Sequence, residues 1–215
     1  MSPRPLRVVL AIAVLLCVAV AHADGEDADR IFGVLPNYTT VEHGDTPQVP
    51  PETTRESFKL ASLSTFDPLV YPFVGAVAFA GMGPRRENFA GRYATLFADD
   101  AIGNFMTTAV MPSLLHQDSR YFRRGEGGVF SRLSYAASRS VVTRTRDGRA
   151  AFNLSEIGGN FAAAGLSNLY YSPADRTMSG TVTRWASQVV WDTVANEMKE
   201  FWPDVRARLQ RRPPR

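Results

Sequence analysis

Two uncharged stretches rich in glycine and alanine place the strongest constraint on how this chain can fold. The first runs over 17 residues from Pro68 to Pro84, and the second over 18 residues from Ile157 to Ala174. Small side chains let helix backbones approach each other closely, and the spacing Gly159-x-x-x-Ala163 is typical of such contacts. The two stretches therefore predict helices that pack tightly against neighbouring helices.

The same stretches leave two interpretations open, a soluble or peripheral helical bundle and a membrane-embedded hairpin. Their lengths lie near the ~17–25 apolar residues of a membrane span. However, Pro72 and Gly75 interrupt the first stretch, and Asn160, Ser167 and Asn168 add polar groups to the second. These interruptions favour the soluble or peripheral bundle.

The N-terminal segment predicts export. Arg4 and Arg7 precede an uncharged apolar run over residues 10–20, and Ala21-His22-Ala23 follows as an A-x-A site. This order is typical of a secretory signal peptide, here residues 1–23. Cleavage after Ala23 would remove Cys17, the one cysteine, and would leave a chain without thiols or disulfides. That composition suits the periplasm or a membrane-associated position in a bacterial envelope.

The small net charge argues against a nucleic-acid partner. The net charge is only +3, from 24 basic and 21 acidic side chains, whereas nucleic-acid binders usually carry a strong basic patch. Five arginines are concentrated in residues 205–215. This tail is interpreted as a solvated terminus or as a contact with anionic lipid or with another envelope protein.

Helix caps and breakers predict an all-α fold, a bundle of five or six helices. After a proline-rich linker over residues 24–52, the helical domain is expected over residues 53–204. Thr53 with Glu56 has the spacing of a capping box, and Asn153 with Glu156 resembles a capping pair. Helices are expected at about 53–64, 69–82, 86–111, 129–145, 153–171 and 176–201, with Pro112 ending or kinking the third and Pro203 stopping the last.

A short motif occurs twice within this domain. Gly103-Asn104-Phe105 recurs as Gly159-Asn160-Phe161, and each copy is followed by a loop and a helix. The pattern raises the hypothesis of an internal repeat of two helical hairpins joined by Gly/Ala-rich contacts.

Acidic and amide side chains form a set within the predicted helices. Three acid–amide pairs have i, i+4 spacing, which places both members on one helix face. The set consists of Asp99, Asp100, Asn104, Glu156, Asn160, Asp192 and Asn196. The favoured interpretation is a structural polar network; a metal site or acid–base chemistry is the alternative. No cofactor is predicted, since the sequence contains no Walker loop and no H-E-x-x-H or G-x-S-x-G motif.

The densest polar segment, residues 114–124, supplies the candidate catalytic residues. His116 would act as a general base, Asp118 would orient it, and Arg120 would bind an anion. The alternative is a structural loop in which Asp118 caps a turn, Arg120 pairs with a helix carboxylate and Tyr121 anchors the segment in the core.

Several segments resemble an uncharacterised family of exported bacterial envelope proteins. The similarity rests on FADDAIGNFMTTAVMPS (97–113), NLSEIGGNFAAAGLSNLYY (153–171), RIFGVLPNY (30–38) and KEFWPD (199–204). Ser119 stands where HQDPRYF-type relatives carry proline. The resemblance implies an envelope location and assigns no catalytic residue.

Together these observations predict a non-enzymatic exported envelope protein with a structural or interaction role, associated with a membrane or with another envelope protein. One alternative is a small periplasmic hydrolase or lipid-acting enzyme that uses His116 and Asp118 or the helix carboxylates. Another is a binder of an apolar small molecule in a pocket lined by Tyr93, Tyr170 and Trp185.

Overall fold

A computed structural model describes residues 30–31, 35–42, 49–81 and 88–210. The predicted signal peptide at residues 1–23 and the last five residues of the arginine-rich tail lie outside these ranges. Residues 82–87, which follow the second predicted helix, also lie outside them.

Six helices form most of the described structure, which confirms the all-α bundle. Helix α3 is continuous but contains a π-helical turn in its second half. The helices are α1 (Thr54–Thr65), α2 (Val70–Ala80), α3 (Phe89–Phe105, the π turn Met106–Val110, and Met111–Leu115), α4 (Val129–Ser138), α5 (Leu154–Ser167) and α6 (Met178–Gln210).

Short strands connect and brace these helices. They are β1 (Arg30–Ile31), β2 (Leu35–Pro36), β3 (Thr40–Val41), β4 (Gln117–Asp118), β5 (Tyr121–Phe122), β6 (Val142–Thr145) and β7 (Ala150–Phe152). Strand β3 pairs in parallel with β5, so the segment before the bundle is tied to its middle. Strands β4, β6 and β7 form a three-stranded sheet in that order.

Both predicted capping pairs are confirmed. The Thr53 hydroxyl accepts a hydrogen bond from the Glu56 amide, while the Glu56 carboxylate accepts one from the Thr53 amide. The Asn153 side chain likewise accepts a hydrogen bond from the Glu156 amide and starts α5. Side-chain oxygens at these positions satisfy backbone donors that the first helical turn leaves without partners.

The expectation of one helix over 129–145 is wrong. Helix α4 ends at Ser138, and Val142–Thr145 forms β6 instead. Three of these four residues are β-branched, which suits a strand, and β6 pairs with both β4 and β7. The turn to β7 uses Gly148 at a φ of 84°, a left-handed conformation that glycine adopts readily.

Pro203, which was expected to stop the last helix, does not do so, and Pro112, which was expected to end or kink the third, does not end it. Pro112 follows the π turn, in which the Met111 amide donates to the Met106 carbonyl five residues earlier. The wider turn accommodates a residue that lacks an amide donor, so α3 continues to Leu115. Pro203 lies inside α6, which continues to Gln210.

The distribution of apolar side chains is inverted relative to an ordinary globular core. The described residues include eleven buried apolar residues, of which six are alanine, but fourteen buried polar or charged ones. Twenty-four large apolar side chains are exposed, and Phe130 is exposed to 86%. The helices therefore bury mainly small and polar groups and direct large apolar side chains outward.

Helix α5 shows this inversion residue by residue. Ser155, Gly159, Ala163 and Ser167, spaced four residues apart, are buried, whereas Phe161 is exposed. In α1, Ser57, Ala61 and Thr65 follow the same spacing and are also buried. Small residues at these contacts let the helix backbones approach closely.

Glycine allows α3 and α5 to pack closely. A Cβ atom added at Gly159 would lie 3.2 Å from the Met106 carbonyl oxygen. A Cβ atom at Gly103 would lie 3.9 Å from the Asn160 Oδ1. The two copies of the Gly-Asn-Phe motif therefore face each other. The segments that follow the two copies differ in structure, because Val142 begins strand β6 after the first copy, whereas Val189 and Val190 lie in α6 after the second.

Within the described ranges, no single helix combines the length and apolar composition of a membrane span. Helices α1 and α2 meet those two criteria as a pair, with a bend of 54° between them.

Candidate functional site

Of the three predicted catalytic residues, Asp118 and Arg120 are bonded to each other, whereas His116 is separated from both by its local geometry. His116 ends α3 in a left-handed conformation, with φ at 54°, and its side chain is exposed. Asp118 is buried and accepts two hydrogen bonds from the Arg120 guanidinium, Nε at 2.9 Å and Nη2 at 2.6 Å. Within the described ranges the His116 side chain makes no hydrogen bond to Asp118, so these residues do not form a base–orienter pair.

The same segment matches the structural-loop interpretation in two of its three parts. The Asp118 carboxylate caps the turn by accepting a hydrogen bond from the Arg120 amide at 3.0 Å. Tyr121 is buried and anchors the segment. Arg120 does not pair with a helix carboxylate; besides Asp118 it donates to the Pro50 carbonyl oxygen.

A buried glutamate fixes the tip of this loop. Glu52 accepts hydrogen bonds from the Ser119 amide at 2.6 Å and from the Ser119 hydroxyl at 2.8 Å. Burial raises the pKa of the Glu52 carboxyl; the bonds from Ser119 oppose this, and the charge of Asp118 adds to it. Ser119, the residue that replaces proline in the resemblance, thus supplies an amide donor that proline lacks.

A second buried glutamate joins β5, the following loop and α4 to α6. Glu200 is 0% exposed and accepts hydrogen bonds from the Tyr121 hydroxyl at 2.8 Å and Arg132 Nε at 2.7 Å. It also accepts bonds from the amides of Arg124 and Gly125, each at 3.0 Å. Burial raises the pKa of Glu200, but these donors, Arg132 foremost, outweigh it and hold the pKa below its ordinary value. We call this group the Glu200 cluster.

A third polar group lies between α5 and α6. Asn160 is buried, and its amide donates to Glu156 at 3.0 Å and to Asp192 at 2.8 Å. The two carboxyl groups thus lie side by side, and a hydrogen bond between them is one of the causes that raise the pKa of Glu156. Removal from water, together with the charge of Asp192, raises the pKa of Glu156 well above its ordinary value. A hydrogen bond between two carboxyl groups requires one of them to hold a proton.

Lys199 and Asp100 belong to the surroundings of this carboxyl pair. The Lys199 ammonium donates to the Thr39 hydroxyl at 3.0 Å. Burial lowers the pKa of Lys199, and the charges of Asp192 and Glu156 only partly oppose this effect. Lys199 is therefore part of the polar interior rather than an ordinary surface lysine. Asp100 lies at the surface; surrounding protein atoms and the charge of Asp192 raise its pKa to about 6.

The remaining acids and amides of the predicted set have separate partners. Asp99 accepts hydrogen bonds from the Tyr170 and Tyr171 hydroxyls at 2.6 and 2.5 Å. The Asn104 amide donates to the Thr65 hydroxyl at 2.6 Å, which ties α3 to α1. Asn196 lines the cleft described below. Among the described residues, no group of three or more His, Cys, Asp or Glu side chains is arranged to hold a metal ion.

An open cleft lies between β6, α4 and the start of α5, with about 520 Å³ of space including the solvent at its mouth. Arginine, hydroxyl and amide side chains dominate its walls, and Thr107 of the π turn reaches it. The aromatic residues proposed for an apolar pocket do not line it: Tyr93 stacks on Phe97, and Trp185 donates to the Ile157 carbonyl oxygen. The cleft is therefore suited to a polar ligand.

Sequence reasoning missed the residues that shape this region most strongly. Glu52 lies in the segment interpreted as a linker, and Glu200 and Arg132 are 68 residues apart in the chain. A signal existed only for Glu200, in the KEFWPD segment that carries part of the family resemblance.

Comparison with known proteins adds no relative: no family model, no curated protein and no solved structure matches the chain.

Proposed function

We propose that this protein is a non-enzymatic component of a bacterial envelope, exported by its N-terminal segment, with a structural or interaction role at a membrane surface. The single observation that carries the proposal is the inverted distribution of apolar side chains. A protein surface with many large apolar groups gains free energy when lipid or another apolar surface covers it, at about 25 cal/mol per Å².

The outward face of α6 is an example of a surface with exposed large apolar side chains. Val190, Trp191 and Val194 are exposed, whereas Asp192 on the opposite face binds Asn160 in the interior. A helix with this arrangement matches an apolar exterior and a polar protein interior. The exposed Phe130 on α4 and Leu169 after α5 extend the same property to other parts of the bundle.

The geometry around His116 gives less support to a hydrolase. A general base needs a hydrogen-bonded partner to orient it, and Asp118 is engaged by Arg120 instead.

Cell fractionation tests the proposal. The full chain, expressed in a bacterial host, should be processed after Ala23 and should sediment with membranes. The variant Val190→Ser with Trp191→Ser should shift at least about tenfold toward the aqueous fraction, since each large apolar group contributes roughly 1.5–3 kcal/mol on burial.

The control removes two exposed polar side chains from the same helix, Thr183→Ala with Ser187→Ala, and should partition as the unchanged protein does. N-terminal sequencing measures processing. An unprocessed chain, or a chain that remains entirely in the aqueous fraction without detergent, would contradict the proposal.

A further inference from the structure

The cleft between β6, α4 and the start of α5 has an excess of positive charge. Arg120, Arg139 and Arg144 line it, and they face the carboxyl groups of Asp118 and Glu156. Asp118 is neutralised by its two hydrogen bonds with Arg120. Even if Glu156 were ionised, one positive charge would remain unbalanced among these five groups.

Two of the three arginines are held by aromatic rings rather than by acids. The Arg144 guanidinium carbon lies 4.3 Å from the Phe122 ring centroid, and that of Arg139 lies 4.6 Å from the Tyr135 centroid. Arg139 also donates to the Ser138 hydroxyl. In the described part of the chain neither guanidinium forms an ion pair. Stacking fixes the plane of a guanidinium and leaves its edge N–H groups available to a ligand.

Another part of the cleft wall also favours an anion. Asn153, Ser155 and Glu156 belong to the start of α5, where the partial positive charge of the helix dipole is concentrated. The raised pKa of Glu156 favours its uncharged form, which reduces repulsion of an incoming anion. The Thr107 side chain adds a hydroxyl to the same wall.

We propose that this cleft binds a phosphate group, with Arg139 and Arg144 as its principal ligands. A planar guanidinium can donate two parallel hydrogen bonds to a phosphate, and two guanidiniums match its tetrahedral oxygens from different directions. The phosphate group belongs either to a lipid headgroup or to a small soluble phosphate ester, which present the same oxygens. The inference rests on the cleft alone and does not require the proposed membrane association.

Titration calorimetry on the full chain in nonionic detergent at low ionic strength tests the site. The soluble probes are inorganic phosphate and sn-glycerol 3-phosphate. Flotation with phosphatidylglycerol/phosphatidylcholine vesicles, compared with pure phosphatidylcholine vesicles, tests the lipid source. The test variant is Arg139→Gln with Arg144→Gln. The control, Arg55→Gln with Arg149→Gln, removes the same charge from two exposed arginines outside the cleft.

We expect saturable binding of at least one phosphate probe or a preference for phosphatidylglycerol vesicles, retained by the control. The test variant should bind about tenfold more weakly for each arginine removed, as expected for hydrogen bonds between charged groups. Binding of the soluble probes alone assigns a soluble phosphate, and Arg-dependent preference for phosphatidylglycerol assigns a lipid headgroup; both support the site. If the double variant fails to fold, Arg144→Lys, which keeps the charge but loses the planar donor geometry, should still weaken binding.

Two results would overturn the inference: no saturable binding of either soluble probe together with equal flotation on both vesicle types, or equal binding by the test variant and the control. Failure to float on pure phosphatidylcholine vesicles would count against the proposed membrane association only, because calorimetry with inorganic phosphate tests the cleft separately.

Discussion

Two glutamates in the polar interior, Glu200 and Glu156, show how the same side chain can act in contrary ways. Glu200 is surrounded by donors, and its pKa lies below its ordinary value. Glu156 faces another carboxyl group, Asp192, and its pKa lies well above its ordinary value. Burial is common to both, so the partners decide whether the charged form is stabilised. The first glutamate ties elements together as an anion, and the second does so most effectively as an uncharged acid.

The largest expected effect on stability comes from substituting Glu200, the glutamate that is held as an anion. Glu200→Gln would leave the buried Arg132 facing an uncharged amide and would replace an acceptor oxygen by a donor. Removal of one partner from a buried ion pair costs about 3–5 kcal/mol, so we expect a loss of that order in the free energy of unfolding. Denaturant titration followed by circular dichroism measures it.

The matched control is Glu197→Gln, three residues earlier on α6. Glu197 makes no hydrogen bond or ion pair in the described structure, and a change within about 0.5 kcal/mol is expected. Equal effects of the two substitutions would show that the Glu200 cluster does not hold α4 and β5 to α6.

A smaller loss of stability is expected at the close contact between α3 and α5, which positions Asn160 beside Glu156 and Asp192. Gly159→Ala places a Cβ atom 3.2 Å from the Met106 carbonyl oxygen, a backbone atom that cannot move aside on its own. We expect a loss of about 1–3 kcal/mol in the free energy of unfolding, the usual cost of overpacking.

Gly165→Ala in the same helix is the control for helix propensity. Nothing lies within 4 Å of the added Cβ atom, so the substitution should stabilise the protein by up to about 1 kcal/mol. Thermal unfolding of both variants should give shifts of opposite sign; a stabilising Gly159→Ala would refute the close contact.

The smallest expected effect is on the pH dependence of stability, which should differ in sign between the two glutamates. Because the pKa of Glu156 is higher in the folded than in the unfolded chain, the folded state binds more protons above pH 4.5, the ordinary value for the group. Its contribution to stability is therefore fully present below that pH and is lost as the pH rises toward the folded pKa. Glu156→Gln should reduce this loss, since the amide can still accept from Asn160 and donate to Asp192.

The opposite dependence is expected at Glu200. Its lowered pKa gives stability that is present above pH 4.5 and is lost as the pH falls through the folded pKa. Urea unfolding at several pH values between 3 and 9 would compare the two variants with the unchanged protein. If the stability of Glu156→Gln depended on pH as that of the unchanged protein does, a proton held between Glu156 and Asp192 would be contradicted.

Local signals in the sequence predicted the helices better than the site. Thr53 with Glu56 and Asn153 with Glu156 marked two helix starts correctly, because a capping pair lies within four residues. The continuation of α3 past Pro112 depended on the π turn, which no local pattern revealed. The acid–amide spacing correctly paired Glu156 with Asn160, but it could not show that Asp192 would complete the pair from another helix.

The cleft was even less predictable from the sequence, because residues distant in the chain form it. Arg139 directly follows the last residue of α4 and Arg144 lies in β6, both in a stretch that the sequence pattern assigned to one helix, so their common cleft could not be foreseen. Their aromatic partners, Tyr135 and Phe122, come from two further elements. Only the folded arrangement distinguishes these arginines from those that pair with acids.

The π turn in α3 has a consequence for the orientation of the whole helix. One additional residue per turn changes the angular position of everything that follows by about 100° relative to a regular α-helix. Asn104, before the turn, donates to Thr65 of α1, whereas Ser113, after it, accepts a hydrogen bond from Arg146, which follows β6. The extra residue thus acts as a fixed rotation built into the chain, and it allows a single helix to serve two differently directed surfaces.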